Sequence, residues 1–126
     1  KKRGINPNRE DEEVEPGQRE GGWDRAFQGT YSGSLYDFYD EPVGSIQLRA
    51  LGSRKLTGKI KFRNRKQGNI RATIDGNAEF EKEFWLSRRG GRAYIEGSFL
   101  RLRNDGILLE GSVETRDDEF YFELEK

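Results

Sequence analysis

From Phe27 onward the chain reads as short runs in which apolar and polar residues alternate, each run ended by Gly, Asn, Asp or a cluster of charges. A period of two belongs to a strand with one wet and one buried face, and a succession of such runs joined by tight turns is an antiparallel meander. Eight strands are predicted, over about 27–38, 43–51, 55–63, 69–75, 80–87, 92–100, 106–115 and 119–125. Eight strands suffice for a sheet to close on itself and abolish its edges. The expected fold is therefore all-β, an eight-stranded antiparallel up-and-down meander forming a small closed barrel, with a two-sheet sandwich as the alternative.

The register follows from requiring inward residues to meet inward residues, because a slip of one residue turns every side chain over. On this rule Leu35 meets Ile46, Gly33 meets Leu48, Leu48 meets Gly58, Ile46 meets Ile60 and Phe62 meets Ile70. Ile74 then meets Phe80 around Asp75-Gly76-Asn77, Phe84 meets Ile95 around Arg89-Gly90-Gly91, and Val113 meets Phe120 around Arg116-Asp117-Asp118. Phe99, Leu100 and Leu102 all ask to face inward, which predicts a β-bulge near Phe99-Leu100 before the Asn104-Asp105-Gly106 turn. An apolar-x-Gly-x-apolar unit recurs as FQGTY (27–31), LTGKI (56–60), IEGSF (95–99) and LEGSV (109–113). Glycine weakens a strand, so its repetition at inward positions predicts sharply coiled strands with no room for a side chain, as in a closing barrel.

Only 32% of the chain is apolar and 37% is charged, a balance typical of disorder were the aromatic 12% not set out with period two. The apolar minority must sit in the strands, which leaves residues 1–22 with Ile5 and Val14 as their only large apolar side chains. That segment cannot bury enough to fold alone. The predicted organisation is an extended acidic tail over 1–22 and one barrel domain over 23–126.

The chain has no His, Cys or Met, which removes the commonest general base, soft metal ligands, disulfides and thiol nucleophiles. No catalytic residue, cofactor or metal site is predicted, and the reading is non-enzymatic. Lys plus Arg equals Asp plus Glu, so no overall field draws the molecule to nucleic acid or an anionic membrane, and recognition must come from local patches. No apolar run reaches membrane-spanning length. The first residue is Lys rather than Met, as in a processed product, and the expected localisation is exported: periplasmic, cell-surface or secreted.

The stretch from Leu56 to Val113, through LTGKI, the IRATIDGNAEF run of Ile70–Phe80 and the paired IEGSF and LLEGSV strands, resembles the eight-stranded barrels of surface lipoproteins of the transferrin-binding-protein and factor-H-binding-protein type. The resemblance implies a surface-exposed, non-enzymatic binder of host proteins. This chain lacks the Cys that carries the lipid of that family. Lipocalin and avidin-like barrels are similar at the level of the meander, with the GGW of Gly21–Trp23 before the first strand as the shared feature.

Three groups of residues are candidates for function. Between Arg54 and Arg71 lie eight Lys or Arg residues and no acid. Lys59, Lys61 and Arg63 alternate with inward residues and share an outer face, joined by Arg65 and Lys66 at the tip and Arg71 opposite. Such a face either keeps sheets from pairing edge to edge or binds an anion. Nucleic acid is the least favoured anion, because no exposed aromatics interleave the charges. Trp85, Tyr94, Leu108 and Tyr121 fall outward on neighbouring strands, as either ordinary cross-strand pairs or a partner-binding patch. Lys82 falls inward between Phe80 and Phe84, which places it either at a wet barrel mouth or, with Tyr31, beside a small anionic ligand inside the barrel.

The tail's Glu10, Asp11, Glu12, Glu13 and Glu15 complement the basic face and are expected to dock there, on the same molecule or a neighbour, whereas an open sheet edge would accept Val14 and its neighbours as an added strand. The function expected from the sequence is a binding or assembly module. It would act through protein–protein contacts of the outer face and tail, with a protein partner or homo-assembly, as an accessory or structural subunit of a larger extracytoplasmic assembly. The alternative is a carrier of a small hydrophobic or anionic molecule in the barrel mouth.

Overall fold

The computed structural model describes residues 13–16 and 22–126. Among these the chain forms β1 (Glu13–Pro16), β2 (Gly29–Tyr36), β3 (Pro42–Ala50), β4 (Lys55–Phe62), β5 (Gln67–Thr73), β6 (Glu79–Leu86), β7 (Gly91–Leu102), β8 (Ile107–Glu114) and β9 (Glu119–Glu125). All pairings are antiparallel, and β2 through β9 run up and down in chain order with β9 returning to pair with β2. The result is a nearly closed, barrel-like sheet. The closure is interrupted between β5 and β6. These strands touch at both ends, where the Asp75 N–H donates to the Glu79 carbonyl (2.8 Å) and the Ser87 N–H to the Gln67 carbonyl (2.8 Å), with no ladder between them.

The hairpins are set by short side-chain-capped turns. Asp37 accepts the N–H groups of Tyr39 (2.8 Å) and Glu41 (2.9 Å), Asn64 that of Lys66 (3.0 Å), Asp75 those of Asn77 (2.8 Å) and Glu79 (3.0 Å), and Asn104 that of Gly106 (2.9 Å). An Asx side chain that satisfies its own turn lets the chain reverse in very few residues. This is where the expected register differs. Leu35 meets Gly44 and Gly33 meets Ile46, Ile70 meets Gly58 rather than Phe62, and Phe84 meets Ala93 rather than Ile95. Each shift is an even number of residues, so every side chain keeps its face. Leu48–Gly58, Ile46–Ile60 and Val113–Phe120 pair as expected.

Inward parity delivers one core. Leu35, Leu48, Leu56, Ile60, Ile74, Ile95, Leu109 and Val113 are fully enclosed, each contributing roughly 1.5–3 kcal/mol. One barrel end is plugged by aromatic rings: Phe27 stacks on Phe99 at 5.4 Å, and Trp23 and Tyr31 meet Phe99 edge-on at 5.8 and 5.5 Å. A short 3-10 turn (Arg25–Phe27), capped by the Asp24 carboxylate accepting the Ala26 N–H at 2.9 Å, carries Phe27 into place. Arg101 pairs with Asp24 and lies over the Phe27 ring. At the other end Phe62 meets Phe120 at 5.1 Å. Of the recurring glycines, Gly97 and Gly111 face each other across β7 and β8, where added Cβ atoms would come within 2.8 Å of the Phe80 ring and 2.7 Å of the Phe122 ring.

The expected bulge at Phe99-Leu100 is not formed. Phe99–Leu109, Leu100–Leu108 and Arg101–Ile107 continue an unbroken ladder, with Phe99 inward and Leu100, Leu102 and Leu108 forming a separate buried cluster on the outer side. Chain length explains what happens beside them. β6 pairs with β7 only as far as Ser98 and Ala78 accepts the Phe99 N–H (3.0 Å), so the last three residues of β7 present an open edge, and β1 fills it with Glu13 opposite Leu102, Glu15 opposite Arg101 and Pro16 opposite Leu100. An unpaired row of N–H and C=O groups accepts an added strand readily. Glu13 and Glu15 thus belong to a strand on β7 and not to a segment docked on the β4–β5 hairpin. Glu10, Asp11 and Glu12, placed there with them by the sequence, lie outside the described residues. Among the described residues no helix is long and apolar enough to cross a membrane.

Candidate functional site

The ladders fix which side chains share the outer face of β2–β5. Thr30, Arg49, Thr57 and Arg71 form one cross-strand row, Ser32, Gln47, Lys59 and Asn69 the next, and Ser34, Ser45, Lys61 and Gln67 a third. Every row mixes hydroxyl or amide donors with cations, and no row contains an acid. Arg49, Lys59, Lys61 and Arg71 are exposed, and among the described residues they form no ion pair. Arg49, Lys59 and Arg71 border a shallow groove of about 460 Å³ whose floor includes Gly58, with Thr30, Gln47, Thr57 and Asn69 along its sides. Arg49 and Arg71 stand two strands apart, roughly 9–10 Å. Such an array can offer several N–H donors at once to carboxylates of a protein surface.

The sequence placed Lys59, Lys61 and Arg71 here correctly. Arg65 and Lys66 sit at the hairpin tip as expected, in the Asn64-capped turn that closes from Phe62 to Lys66 and carries Arg65 with φ of 75°, and Arg63 belongs to this turn at the barrel end rather than to the rows of the outer face. Arg49 was missed, although its parity between inward Leu48 and Ala50 would have found it.

The opposite side of the barrel carries the reverse charge. Outward positions on β6–β9 include Glu79, Glu81, Glu83, Glu96, Glu110, Glu114, Glu119, Glu123 and Glu125, with Arg92 as the one cation among them. Glu83, Tyr94, Glu114 and Glu119 make one cross-strand row. Like charges even stand directly opposite each other, as in Glu81–Glu96 and Glu114–Glu119. A net charge of zero therefore conceals two faces of opposite sign. In the sequence the acidic face shows as Glu repeated at every second position through 79–83 and in the final strand.

The expected aromatic patch is not assembled. Trp85 is 66% exposed, but its cross-strand partner is Arg92, whose guanidinium lies over the indole at 5.5 Å. The two-residue register difference moves Tyr94 opposite Glu83, where its hydroxyl donates to the Glu81 carboxylate. That hydrogen bond, then partial desolvation and the charges of Glu81, Glu96 and Glu83, push the Tyr94 phenol up to about 12. Leu108 is buried with Leu100 and Leu102, and Tyr121 is buried with its hydroxyl donating to Glu119 at 3.2 Å. The other exposed rings, Phe38 (56%) and Tyr39 (79%), sit edge-to-face on the Asp37-capped turn; Phe38 was expected as the last residue of a strand and Tyr39 in the connection after it.

The interior polar pair is likewise not formed. Tyr31 is fully buried, donates to the Phe27 carbonyl at 2.7 Å, and is held by burial above the ordinary tyrosine range. Lys82 is exposed although Phe80 and Phe84 on either side are buried. It lies midway along the stretch where β6 has no ladder to β5, and that gap gives its four-carbon stem a way to water. Comparison with family models, with curated proteins and with solved structures finds no match to this chain.

Proposed function

We propose that this chain is a non-enzymatic binding module that takes an acidic protein surface on the outer face of β2–β5, the barrel serving as a rigid support. The observation that carries the reading is the run of three cross-strand rows without an acid, in which Arg49, Lys59, Lys61 and Arg71 are exposed and unneutralised among the described residues. A face meant only to discourage edge pairing needs its charge on an edge strand, whereas Arg49, Lys59 and Lys61 stand on β3 and β4, which are paired on both sides, and of the four cations Arg71 alone lies on the edge strand β5. The filled interior favours a module over a carrier: Phe27, Tyr31, Phe80 and Phe99 occupy the space a ligand would need. Fluorescence anisotropy with labelled poly-L-glutamate tests the reading. Wild type should bind with a steep salt dependence, and Lys59→Glu with Arg71→Glu should weaken binding by at least about tenfold. Equal binding by the doubly reversed variant would refute it.

A further inference from the structure

We infer that the N-terminal segment of the chain, residues 1–12, lies across the outer face of β7–β9 and seals it. Strand parity turns Leu100, Leu102, Leu108, Ser112 and Tyr121 away from the core, yet Leu108, Ser112 and Tyr121 are each only 3% exposed. Trp85, equally outward on β6, keeps most of its surface. Glu110 and Glu123 face each other across β8 and β9 in the same band, and Glu110 Oε1 and Glu123 Oε2 are closed off from solvent. On the outside of a barrel such burial requires a covering layer. Facing carboxylates enclosed by that layer require positive charge or hydrogen-bond donors. Glu96, Glu110, Tyr121, Glu123 and Glu125 are each engaged by a partner.

Position, reach and chemistry together name the cover. β1 lies along β7 with Glu13 opposite Leu102, so the twelve residues before it start at the rim of the Leu100–Leu102–Leu108 cluster. Residues 17–21 lead the other way, toward Trp23, whose N–H donates to the Gly76 carbonyl at the β5–β6 turn (3.2 Å). β9 lies two strands from β7, roughly 10 Å, and twelve extended residues span about 40 Å. Residues 1–9 carry Lys1, Lys2, Arg3 and Arg9 with no acid, and Ile5 is their one large apolar side chain. That composition matches a band of glutamates bordered by leucines. The segment is thus a strap bound to its own barrel, on the side away from the basic face.

Thiol accessibility tests the strap, because the chain has no cysteine of its own. Ser112→Cys puts a single thiol in the covered band, and Ser45→Cys puts one on the exposed face of β3 as a reference. With the neutral probe N-ethylmaleimide, the full chain carrying Ser112→Cys should react at least about tenfold more slowly than that carrying Ser45→Cys. Adding Lys1→Glu, Lys2→Glu and Arg3→Glu should raise the Ser112→Cys rate toward the reference while circular dichroism shows the sheet intact, and deleting residues 1–12 should do the same. Dilution should leave the protection unchanged, since segment and face belong to one molecule. Rapid labelling of Ser112→Cys in the full chain overturns the inference, as does protection that the charge reversals leave unaltered. Protection that fades on dilution assigns the strap to a second copy and overturns it equally.

Discussion

Glu114 and Glu119 stand directly opposite each other at the mouth of the β8–β9 hairpin, both exposed. Like charges in facing cross-strand positions destabilise a sheet, typically by a few tenths of a kcal/mol. A surface shaped for stability alone would place a Lys in one of the two positions. Glu119→Lys is therefore expected to raise unfolding free energy by roughly 0.2–1 kcal/mol in chemical denaturation. A loss of stability would show that the acidic face is not held at a cost.

Core and surface separate cleanly on β6 and β7. Ile95 is fully enclosed, so Ile95→Ala should cost roughly 2–5 kcal/mol. Trp85→Ser should change stability by less than about 0.5 kcal/mol beyond its contact with Arg92, despite removing the larger side chain. Denaturant midpoints of the two variants decide the matter; if Trp85→Ser proves the more damaging, the outward assignment of Trp85 fails.

Tyr94 provides a pH signature of the acidic face. Its folded-state pKa of about 12 lies above the ordinary tyrosine value near 10, so the folded protein holds this proton more tightly than the unfolded chain. The associated stability is fully present below about pH 10 and is lost as the pH rises toward about 12. Phenolate absorbance of wild type minus that of Tyr94→Phe should show a midpoint near 12, and Glu81→Gln should lower it, since the bond to Glu81 is the largest cause. A midpoint near 10 in wild type would remove the Tyr94–Glu81 contact from the account.

The strand pattern was legible because inward parity is written directly into the sequence: Ile46, Leu48 and Ala50 alternate with Ser45, Gln47 and Arg49 whatever the partner strand. Register was less legible. Apolar pairing cannot tell a shift of two from none, and the distinction lay in the capping side chains of Asp37 and Asn64, which fix where each turn closes. That single ambiguity broke up the expected patch, since moving Tyr94 by two residues took it from Trp85 to Glu83. Leu100 and Leu102 misled for another reason. Their burial lies on the outer side of β7, which a one-core reading of the pattern does not foresee.

The central claim is that recognition occurs on the acid-free face of β2–β5. Amide chemical-shift mapping of the labelled full chain during titration with poly-L-glutamate tests it most directly. The account predicts that the largest changes cluster at Arg49, Thr57, Lys59, Asn69 and Arg71 around the groove, and that they collapse as salt is added. Changes confined to the exposed rings of Phe38 and Tyr39, to Trp85, or to the Arg63–Lys66 turn would contradict it.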